Sequence, residues 1–359
     1  MKAGLPLLAL FTVVLTGCGG DGSSPSAGGG GGGSIAPSLR YTAFTDSGLP
    51  TDLSGDGSTV VGYTQLGSAI NPVAWKYPDY VLASFSSEIS SSAYLAAVTP
   101  DGSHFLGVWH AGILVGQPAL LTPTGTVTVL ALPAGKTDGY PIDLSDDGKV
   151  VLCLDAPPTT PFHPRPYLVK NGVVTYLPLP DGVTTAYASA ISGDGHVVVG
   201  TINDQAAIWV NGGAPELIAA PQSGARDVSR DGNVVVGIQR DSSSLGSHPF
   251  RWTAAGGTED LPVSPDYPKS AVASGVSEDG NTVLISGNAV SGSEGIPQLW
   301  RNGSGTQTVA DLITAAGGDG AGFMGASPIK LSADGHSIIG RGQRGTFSSL
   351  AGSWVLTLP

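Results

Sequence analysis

One short motif recurs along most of the chain and constrains its fold more than any other feature. An Asp-Gly pair occurs in one template, with a hydroxyl residue two positions before the Asp and an aliphatic residue before that. Its aspartates are Asp56, Asp101, Asp147, Asp194, Asp231, Asp279 and Asp334. They lie 37 to 55 residues apart, and a period of this length is typical of a repeat architecture.

Each repeat has the pattern of a β-hairpin. Glycine tolerates the positive φ that a tight turn requires, and the Asp side chain can accept hydrogen bonds from the local backbone. Apolar, mostly β-branched residues follow the turn, as at positions 197–200 and 234–237, and such runs favour buried strands. The sequence therefore predicts a strand, a tight turn and a second strand in every repeat.

A large side chain marks a third strand 15 to 21 residues after each Asp. The residues at this position are Trp75, Leu120, Tyr167, Trp209, Trp252, Trp300 and Trp354. Their regular placement indicates packing between repeats. A short apolar segment beyond them, such as residues 174–178 or 258–262, predicts a fourth strand. Four strands in about 46 residues is the size of one propeller blade. We therefore predict an all-β fold, a seven-bladed β-propeller of four-stranded antiparallel blades.

The two ends of the repeat region predict how the ring closes. The seventh repeat ends soon after Trp354 and lacks a fourth strand, whereas residues 40–45 precede the first Asp-Gly unit and have a strand pattern. We expect this N-terminal strand to pair with the Trp354 strand in a propeller formed by residues 40–359, which leaves no open edge. Residues 309–318, in the long sixth repeat, predict a short helix that ends at glycine.

The first 39 residues have a different composition. Lys2 and the apolar run from Leu5 to Leu15 indicate a secretion signal, too short to span a bilayer. The Leu-Thr-Gly-Cys sequence at 15–18 resembles the lipobox of bacterial lipoproteins, and this resemblance implies acylation of Cys18, with palmitate or a similar chain. Residues 1–17 are then the signal peptide, and residues 18–39 the acylated cysteine and a flexible Gly/Ser-rich linker. Gly19, where lipoproteins of the inner membrane carry aspartate, implies the outer membrane.

The repeats themselves resemble the bacterial extracellular repeats named for a His-Ala-Phe motif (HAF repeats). The resemblance is carried by His-Pro-Phe-Arg-Trp at 248–252, Leu-Pro at 261–262 and Gly-Val-Ser-Glu-Asp-Gly at 275–280. It covers residues 46–354, although Pro249 replaces the alanine of the motif. The resemblance implies an extracellular location and a repeat architecture, and it implies no activity.

Composition and motif spacing exclude several kinds of site. A net charge of −12 argues against nucleic acid as a partner, because binding it requires a clustered basic surface. Asp52, Asp143 and Asp227 stand four residues before Asp-Gly aspartates and imitate calcium loops, but valines occupy the ninth positions where a carboxylate would be needed. We therefore predict no metal site and no cofactor. Cys153 has no partner cysteine and is predicted to be a small core residue.

Five residues are weak candidates for ligand contact. Trp109 is the one tryptophan outside the regular packing position, and His110 follows it. An exposed aromatic residue there could stack on a sugar or a protein partner, whereas the alternative is packing within its own hairpin. Tyr94, Tyr140 and Tyr187 each lie seven residues before an Asp-Gly aspartate, where they could line one rim of the ring or simply begin the innermost strands.

These features favour a non-enzymatic binding propeller, monomeric and tethered to the outer membrane through Cys18, with an unknown protein or glycan as its ligand. No catalytic residue is assigned. The alternative is a hydrolase or lyase acting on a polysaccharide, which would require several carboxylates and an arginine or histidine converging at the centre of the ring. Most acidic residues are expected in Asp-Gly turns, which weighs against it. A purely structural or adhesive surface protein would lack a concave polar pocket.

Overall fold

The computed structural model shows seven four-stranded antiparallel sheets arranged as a seven-bladed β-propeller, which confirms the predicted fold. The structure describes residues 39–44, 48–66, 69–78, 81–83, 93–110, 116–155, 164–183, 185–241, 246–264, 270–288, 295–318, 327–341 and 353–359.

The blades are numbered 1 to 7 along the chain, and each sheet is built outward from its first strand. The first strands of blades 1 to 7 are β2 (Gly48–Leu53), β6 (Leu95–Val98), β10 (Gly139–Leu144), β14 (Ala186–Ile191), β18 (Ser223–Val228), β22 (Ala271–Val276) and β26 (Ser327–Leu331). The second strands are β3 (Thr59–Leu66), β7 (Phe105–His110), β11 (Val150–Asp155), β15 (Val197–Ile202), β19 (Val234–Arg240), β23 (Thr282–Asn288) and β27 (Ser337–Arg341).

The two outer strands of each blade follow in the same order. The third strands are β4 (Ala69–Lys76), β8 (Gly116–Leu121), β12 (Pro166–Lys170), β16 (Gln205–Val210), β20 (Ser247–Thr253), β24 (Gly295–Arg301) and β28 (Ser353–Thr357). The outermost strands are β5 (Val81–Ala83), β9 (Val127–Val129), β13 (Val173–Tyr176), β17 (Glu216–Pro221), β21 (Gly257–Asp260), β25 (Gly305–Thr308) and, in blade 7, β1 (Arg40–Phe44).

The Asp-Gly turn joins the first and second strands of each blade, and its hydrogen bonds explain the repeated template. In blade 1, Ser54 Oγ donates to Asp56 Oδ1 at 2.8 Å, and the same oxygen accepts the N–H of Ser58 at 2.9 Å. Ser54 Oγ in turn accepts the N–H of Thr59 at 2.9 Å, while Gly57 has a φ of 70°. The same three bonds recur in the other six blades. The hydroxyl residue is therefore part of the turn.

Hydrophobic packing between blades supplies the core. Each of seven buried clusters combines residues of two neighbouring blades. Burial of apolar area at about 25 cal/mol per Å² makes these contacts the main stabilising contribution. The regular aromatic position lies in the third strands, where Trp75, Trp209 and Trp354 are among the largest fully buried side chains and Trp252 is partly buried. The predicted packing role is confirmed.

The N-terminal strand closes the ring as predicted. β1 pairs antiparallel with β28, with Ala43 opposite Trp354. Phe44 stacks on Trp75 of blade 1, with ring centroids 4.5 Å apart. Ser353 Oγ donates to the carbonyl of Gly48 at 2.6 Å, which joins blades 7 and 1. Residues from both ends of the propeller therefore hold its seam.

One short helix interrupts the strands. α1 (Val309–Ala315) follows β25, begins after Thr308 and is followed by Gly317, which has a φ of 81°. The helix predicted in residues 309–318 is confirmed. Val309 and Ile313 are buried in the cluster between blades 6 and 7. In the part of the chain that the structure describes, no helix is both long and apolar enough to cross a membrane.

Candidate binding site at the centre of the ring

The seven first strands surround the centre of the ring, where neighbouring first strands contact each other and β26 contacts β2. Each first strand has a β-bulge at the same step of its ladder. A bulge re-aims the side chains beside it and leaves one residue out of the ladder. The bulged residues are Thr51, Ala96, Ile142, Ser189, Arg226, Ser274 and Ile329.

The residues directly after the bulges form a layer with a regular chemical pattern. In the order of blades 1 to 7 they are Asp52, Ala97, Asp143, Ala190, Asp227, Gly275 and Lys330. Acidic and small residues thus alternate through blade 6, and blade 7 supplies a cation. We call Asp52, Asp143, Asp227 and Lys330 the central charged cluster; all four line one cavity.

The three carboxylates connect neighbouring blades through hydrogen bonds. Asp52 Oδ2 accepts the N–H of Val98 at 2.9 Å, Asp143 Oδ2 that of Ile191 at 3.0 Å, and Asp227 Oδ2 that of Val276 at 3.0 Å. Each donor follows the bulge of the next blade. Asp143 Oδ1 also accepts the N–H of Leu144 at 2.8 Å. A buried N–H without an acceptor costs about 1–3 kcal/mol, so these carboxylates stabilise the bulged strands.

Two cations compensate this negative charge. Lys330 Nζ reaches from blade 7 to Asp227 Oδ1 in blade 5, at 3.1 Å. Arg230 forms an ion pair with Asp146 at 2.9 Å, which connects the turns of blades 5 and 3. This pair passes over Gly193 of blade 4, where a β-carbon would lie 2.3 Å from Asp146 Oδ2.

Burial shifts the acid–base behaviour of the cluster. It raises the pKa of Asp52 to about 6; the charge of Lys330 opposes this shift and that of Asp143 adds to it. Burial also raises the pKa of Asp143. Burial alone would lower the pKa of Lys330, but the carboxylates of Asp227, Asp52 and Asp143 raise it above its ordinary value. Lys330 is therefore charged at neutral pH, whereas Asp52 titrates near pH 6.

The cavity beside the cluster is small. Its volume is about 40 Å³, whereas pockets for small molecules measure roughly 300–1,000 Å³. The space admits a few water molecules and no sugar ring. The three carboxylates of the central charged cluster thus face a small cavity, and each accepts a backbone N–H from the next blade.

The predicted tyrosines lie at the opposite end of the first strands. Tyr140 and Tyr187 occupy equivalent positions in β10 and β14, opposite Leu154 and Thr201, and are 45% and 40% exposed. Tyr94 directly precedes β6 and is half-buried. Burial raises its pKa to about 12, with Tyr140 the next contributor, so its hydroxyl remains a neutral donor. We call Tyr94, Tyr140 and Tyr187 the tyrosine rim.

A fourth tyrosine, Tyr63 of β3, adjoins this rim. Its ring makes an edge contact with Tyr94, at a centroid distance of 6.3 Å and an interplanar angle of 65°. The structure therefore brings together the three tyrosines that the sequence analysis selected, on blades 2 to 4, and adds Tyr63 from blade 1.

The other candidate residues lie elsewhere. Trp109, in β7, is partly buried and packs against the cluster between blades 1 and 2, so its environment is that of a packing residue. His110 ends β7 opposite Gly116, and its side chain lies outside the described residues, as does Cys18. Cys153 is fully buried in the core, as predicted.

The residues of the calcium-like sequences have separate roles. Asp52, Asp143 and Asp227 point to the centre, whereas Asp56, Asp147 and Asp231 hold their own turns. Among the described residues there is no group of three or more His, Cys, Asp or Glu side chains that could hold a metal ion.

Sequence reasoning missed the convergence of charges at the centre. It assigned most acidic residues to Asp-Gly turns, which was wrong for Asp52, Asp143 and Asp227. A signal was present, because these residues occupy one column of the repeat alignment together with Lys330. Arg226 and Arg230 were missed as well, and nothing in the repeat pattern marks either of them.

Comparison with known proteins supports the fold. No family model matches the chain, and no curated protein does. An oligogalacturonate lyase from Vibrio parahaemolyticus is 11% identical, with 90% of this chain and 97% of that chain covered and a TM-score of 0.59. A structure from a study of two prolyl endopeptidases is 11% identical, with 90% and 50% covered and a TM-score of 0.55. This chain therefore corresponds to half of that endopeptidase chain.

TolB from Acinetobacter baumannii is also similar, with 16% identity, 85% of this chain and 64% of that chain covered, and a TM-score of 0.46. At such low identities the similarity concerns the fold alone. The chain is a seven-bladed β-propeller, and one fold can host many unrelated functions.

Proposed function

We propose that this chain is a non-enzymatic binding propeller whose ligand, a glycan or a protein of the cell envelope, contacts the tyrosine rim. One observation carries the proposal: two tyrosines with 45% and 40% exposure occupy equivalent positions on neighbouring innermost strands, at one end of the ring. Exposed tyrosines combine an apolar ring with a polar hydroxyl, and such residues contribute strongly to binding.

The central charged cluster supports binding over catalysis. Carboxylates do converge there with Lys330 and Arg230, which is the arrangement that the enzyme alternative requires. However, each carboxylate accepts an N–H from the next blade, and the cavity of about 40 Å³ excludes a sugar ring. General acid–base catalysis requires direct or water-mediated contact with the substrate. The cluster therefore serves mainly to join the blades.

The binding experiment compares the rim with an exposed tyrosine elsewhere. The full chain is titrated calorimetrically with chitohexaose, muropeptides, lipopolysaccharide and a mannuronate hexamer. For a probe that binds, the double variant Tyr140→Ala/Tyr187→Ala should bind at least about 10-fold more weakly, or about 1.4 kcal/mol. The control is Tyr77→Ala, because Tyr77 is 45% exposed and follows the outer strand β4. Equal losses in both variants would contradict the proposal, and no binding to any of these probes would contradict a glycan as the ligand.

We also propose that Cys18 tethers the propeller to the outer membrane. The support is the Leu-Thr-Gly-Cys sequence at 15–18 and the Gly/Ser-rich stretch after it. Two or more acyl chains anchor a protein stably. Metabolic labelling with an alkynyl palmitate analogue should mark the full chain and not the Cys18→Ser variant, and fractionation should find the labelled chain with outer membranes. Labelling of Cys18→Ser would contradict this proposal.

A polysaccharide hydrolase or lyase is the second candidate, and the pKa of Asp52 favours it. At a value of about 6, this carboxyl can act as a general acid near neutral pH. The test incubates the full chain with a panel of neutral and acidic polysaccharides and measures reducing ends and unsaturated products. Activity that is lost in Asp52→Asn, with the fold intact, would establish this candidate. Absence of products would leave the binding function.

A further inference from the structure

We propose that Arg226 binds the carboxylate of an acidic sugar whose ring lies against Tyr187 of the tyrosine rim. This inference deepens the proposed function, because it rests on ligand binding at the tyrosine rim and adds the chemical class of the ligand.

Arg226 lies in the innermost strand of blade 5. It is the bulged residue of β18, out of the ladder between Ala225 and Asp227. β18 is an innermost strand that pairs only with β19, and Arg226 is exposed in its middle. Its side chain therefore reaches solvent at the centre of the ring. The bulged residues of the other six blades are uncharged.

The guanidinium of Arg226 has no partner in the part of the chain that the structure describes. The first strands contain two cations, Arg226 and Lys330. Lys330 bonds to Asp227, whereas the guanidinium of Arg226 forms no hydrogen bond or ion pair with any described residue. Asp227 follows Arg226 directly, but its carboxylate is already occupied by Lys330 and the N–H of Val276. The five donors of the guanidinium are thus available to a ligand.

Arg226 and the rim lie on neighbouring innermost strands. In blade 5 the position equivalent to Tyr140 and Tyr187 is Gly224, so this blade contributes no side chain to the rim. Gly224 is buried, and Thr201 of blade 4 fills the space beside it, because a β-carbon there would lie 2.8 Å from Thr201 Oγ1. Arg226 and Tyr187 are both exposed, on the contacting strands β18 and β14. A ligand at the centre of the ring can therefore contact both side chains.

The chemistry of these groups selects the ligand. A guanidinium matches a carboxylate with two parallel hydrogen bonds. The tyrosine faces accept an apolar ring surface, and their neutral hydroxyls can bond to sugar hydroxyls. A uronate or similar acidic sugar presents all three features within one ring. Because the chain has a net charge of −12, general electrostatic attraction does not explain binding of an anion, and a local cation is required.

The test uses matched probes and matched variants of the full chain. The probes are a mannuronate hexamer, its carboxyl-reduced neutral counterpart and hexaglutamate. Calorimetry should show binding of the hexamer, and at least about 10-fold weaker binding of the neutral form, since hydrogen bonds to charged groups are the stronger kind. Arg226→Gln should weaken binding of the hexamer by a similar factor and leave the residual binding of the neutral form unchanged.

The control variant is Arg301→Gln in the third strand of blade 6, and thermal unfolding verifies that both variants fold. Unchanged binding in Arg226→Gln combined with a loss in Tyr187→Ala would overturn this inference and leave the proposed function intact. Equal affinity for both hexamers, binding of hexaglutamate alone, or no binding of the mannuronate hexamer would also overturn the inference.

Discussion

Asp52 Oδ2 in blade 1 accepts the backbone N–H of Val98 in blade 2 at 2.9 Å, although the two residues are 46 positions apart in the chain. Equivalent bonds join blade 3 to blade 4 and blade 5 to blade 6. The polar centre of the ring therefore contributes to its stability through contacts that the hydrophobic clusters do not provide.

Substitution of Asp143 should destabilise the propeller. Asp143→Ala removes the acceptors of two backbone N–H groups, those of Leu144 and Ile191. At about 1–3 kcal/mol for each unsatisfied group, the free energy of unfolding should fall by about 2–6 kcal/mol in a urea titration. Asp181→Ala, at an exposed position, should change it by less than about 0.5 kcal/mol. Equal stability of the two variants would show that the bonds from Asp143 contribute nothing.

The stability of the fold should depend on Asp52 between pH 4 and pH 7. Because the pKa of Asp52 is about 6 in the folded protein and about 3.9 in the unfolded chain, the folded state binds more protons in this range. Its free energy of unfolding should therefore rise as the pH falls from 7 to 4.5, by an amount on the order of 2 kcal/mol. Asp52→Asn cannot titrate and should lack this component.

Unfolding curves of wild type and Asp52→Asn at several pH values check this prediction, and parallel pH profiles would refute it.

The turn aspartate Asp147 affects stability at lower pH. The hydrogen bond from Lys149 Nζ to Asp147, with further bonds from the Lys149 N–H and the Ser145 hydroxyl, holds the pKa of Asp147 at about 2. The stability that it contributes is lost only as the pH falls from about 4 to 2, so the two effects are separable.

Removal of the central cation should be harmful at neutral pH. Lys330→Met leaves three aspartates without their nearest cation, and loss of one partner of a buried pair is strongly destabilising. Since the Lys330 side chain is 29% exposed, we expect a loss of about 1–3 kcal/mol at pH 7. Protonation of Asp52, whose pKa is about 6, should reduce this loss near pH 5. Lys149→Met, which breaks an exposed pair, should have little effect at either pH.

Ring closure can be tested by deletion. Removal of residues 40–44 leaves β28 with an unpaired edge and removes Phe44, which is buried against Trp75. Loss of a buried Phe side chain alone costs about 3–5 kcal/mol. The melting temperature measured by circular dichroism should therefore fall by roughly 10 °C or more. A melting temperature equal to that of the full chain would show that β1 does not hold the ring closed.

The repeat pattern was sufficient to predict the blades because each one depends on local chemistry. The Asp-Gly turns and the hydroxyl residues before them form hydrogen bonds within a few residues of the chain. The large side chain of the third strand follows at a regular spacing. One sequence template therefore identifies all of these positions. The tyrosine rim was found for the same reason, since Tyr94, Tyr140 and Tyr187 occupy one column.

The central site could not be predicted in this way. Asp52, Asp143 and Asp227 bond to N–H groups 46 to 49 residues ahead, and those donors are free because the innermost strands pair on one side only. Hydrophobic patterning does not reveal a bulge. The sequence alone therefore could not predict that the Arg226 side chain is exposed at the centre of the ring. The same aspartates were considered as calcium ligands, because a sequence shows which acids are close along the chain and not which meet in space.

The alternation of acidic and small residues around the centre has a consequence that follows from parity. In a ring with an even number of members, two kinds of residue can alternate without interruption. Seven is odd, so one adjacent pair must break the rule, and here that pair is Lys330 and Asp52, the charged residues of blades 7 and 1. The position where alternation fails is the one that has the cation, and its strand β26 contacts β2, the strand of Asp52. An odd ring of this design thus provides one natural place for the opposite charge, whereas an eight-membered ring would accommodate a fourth carboxylate and offer no such place.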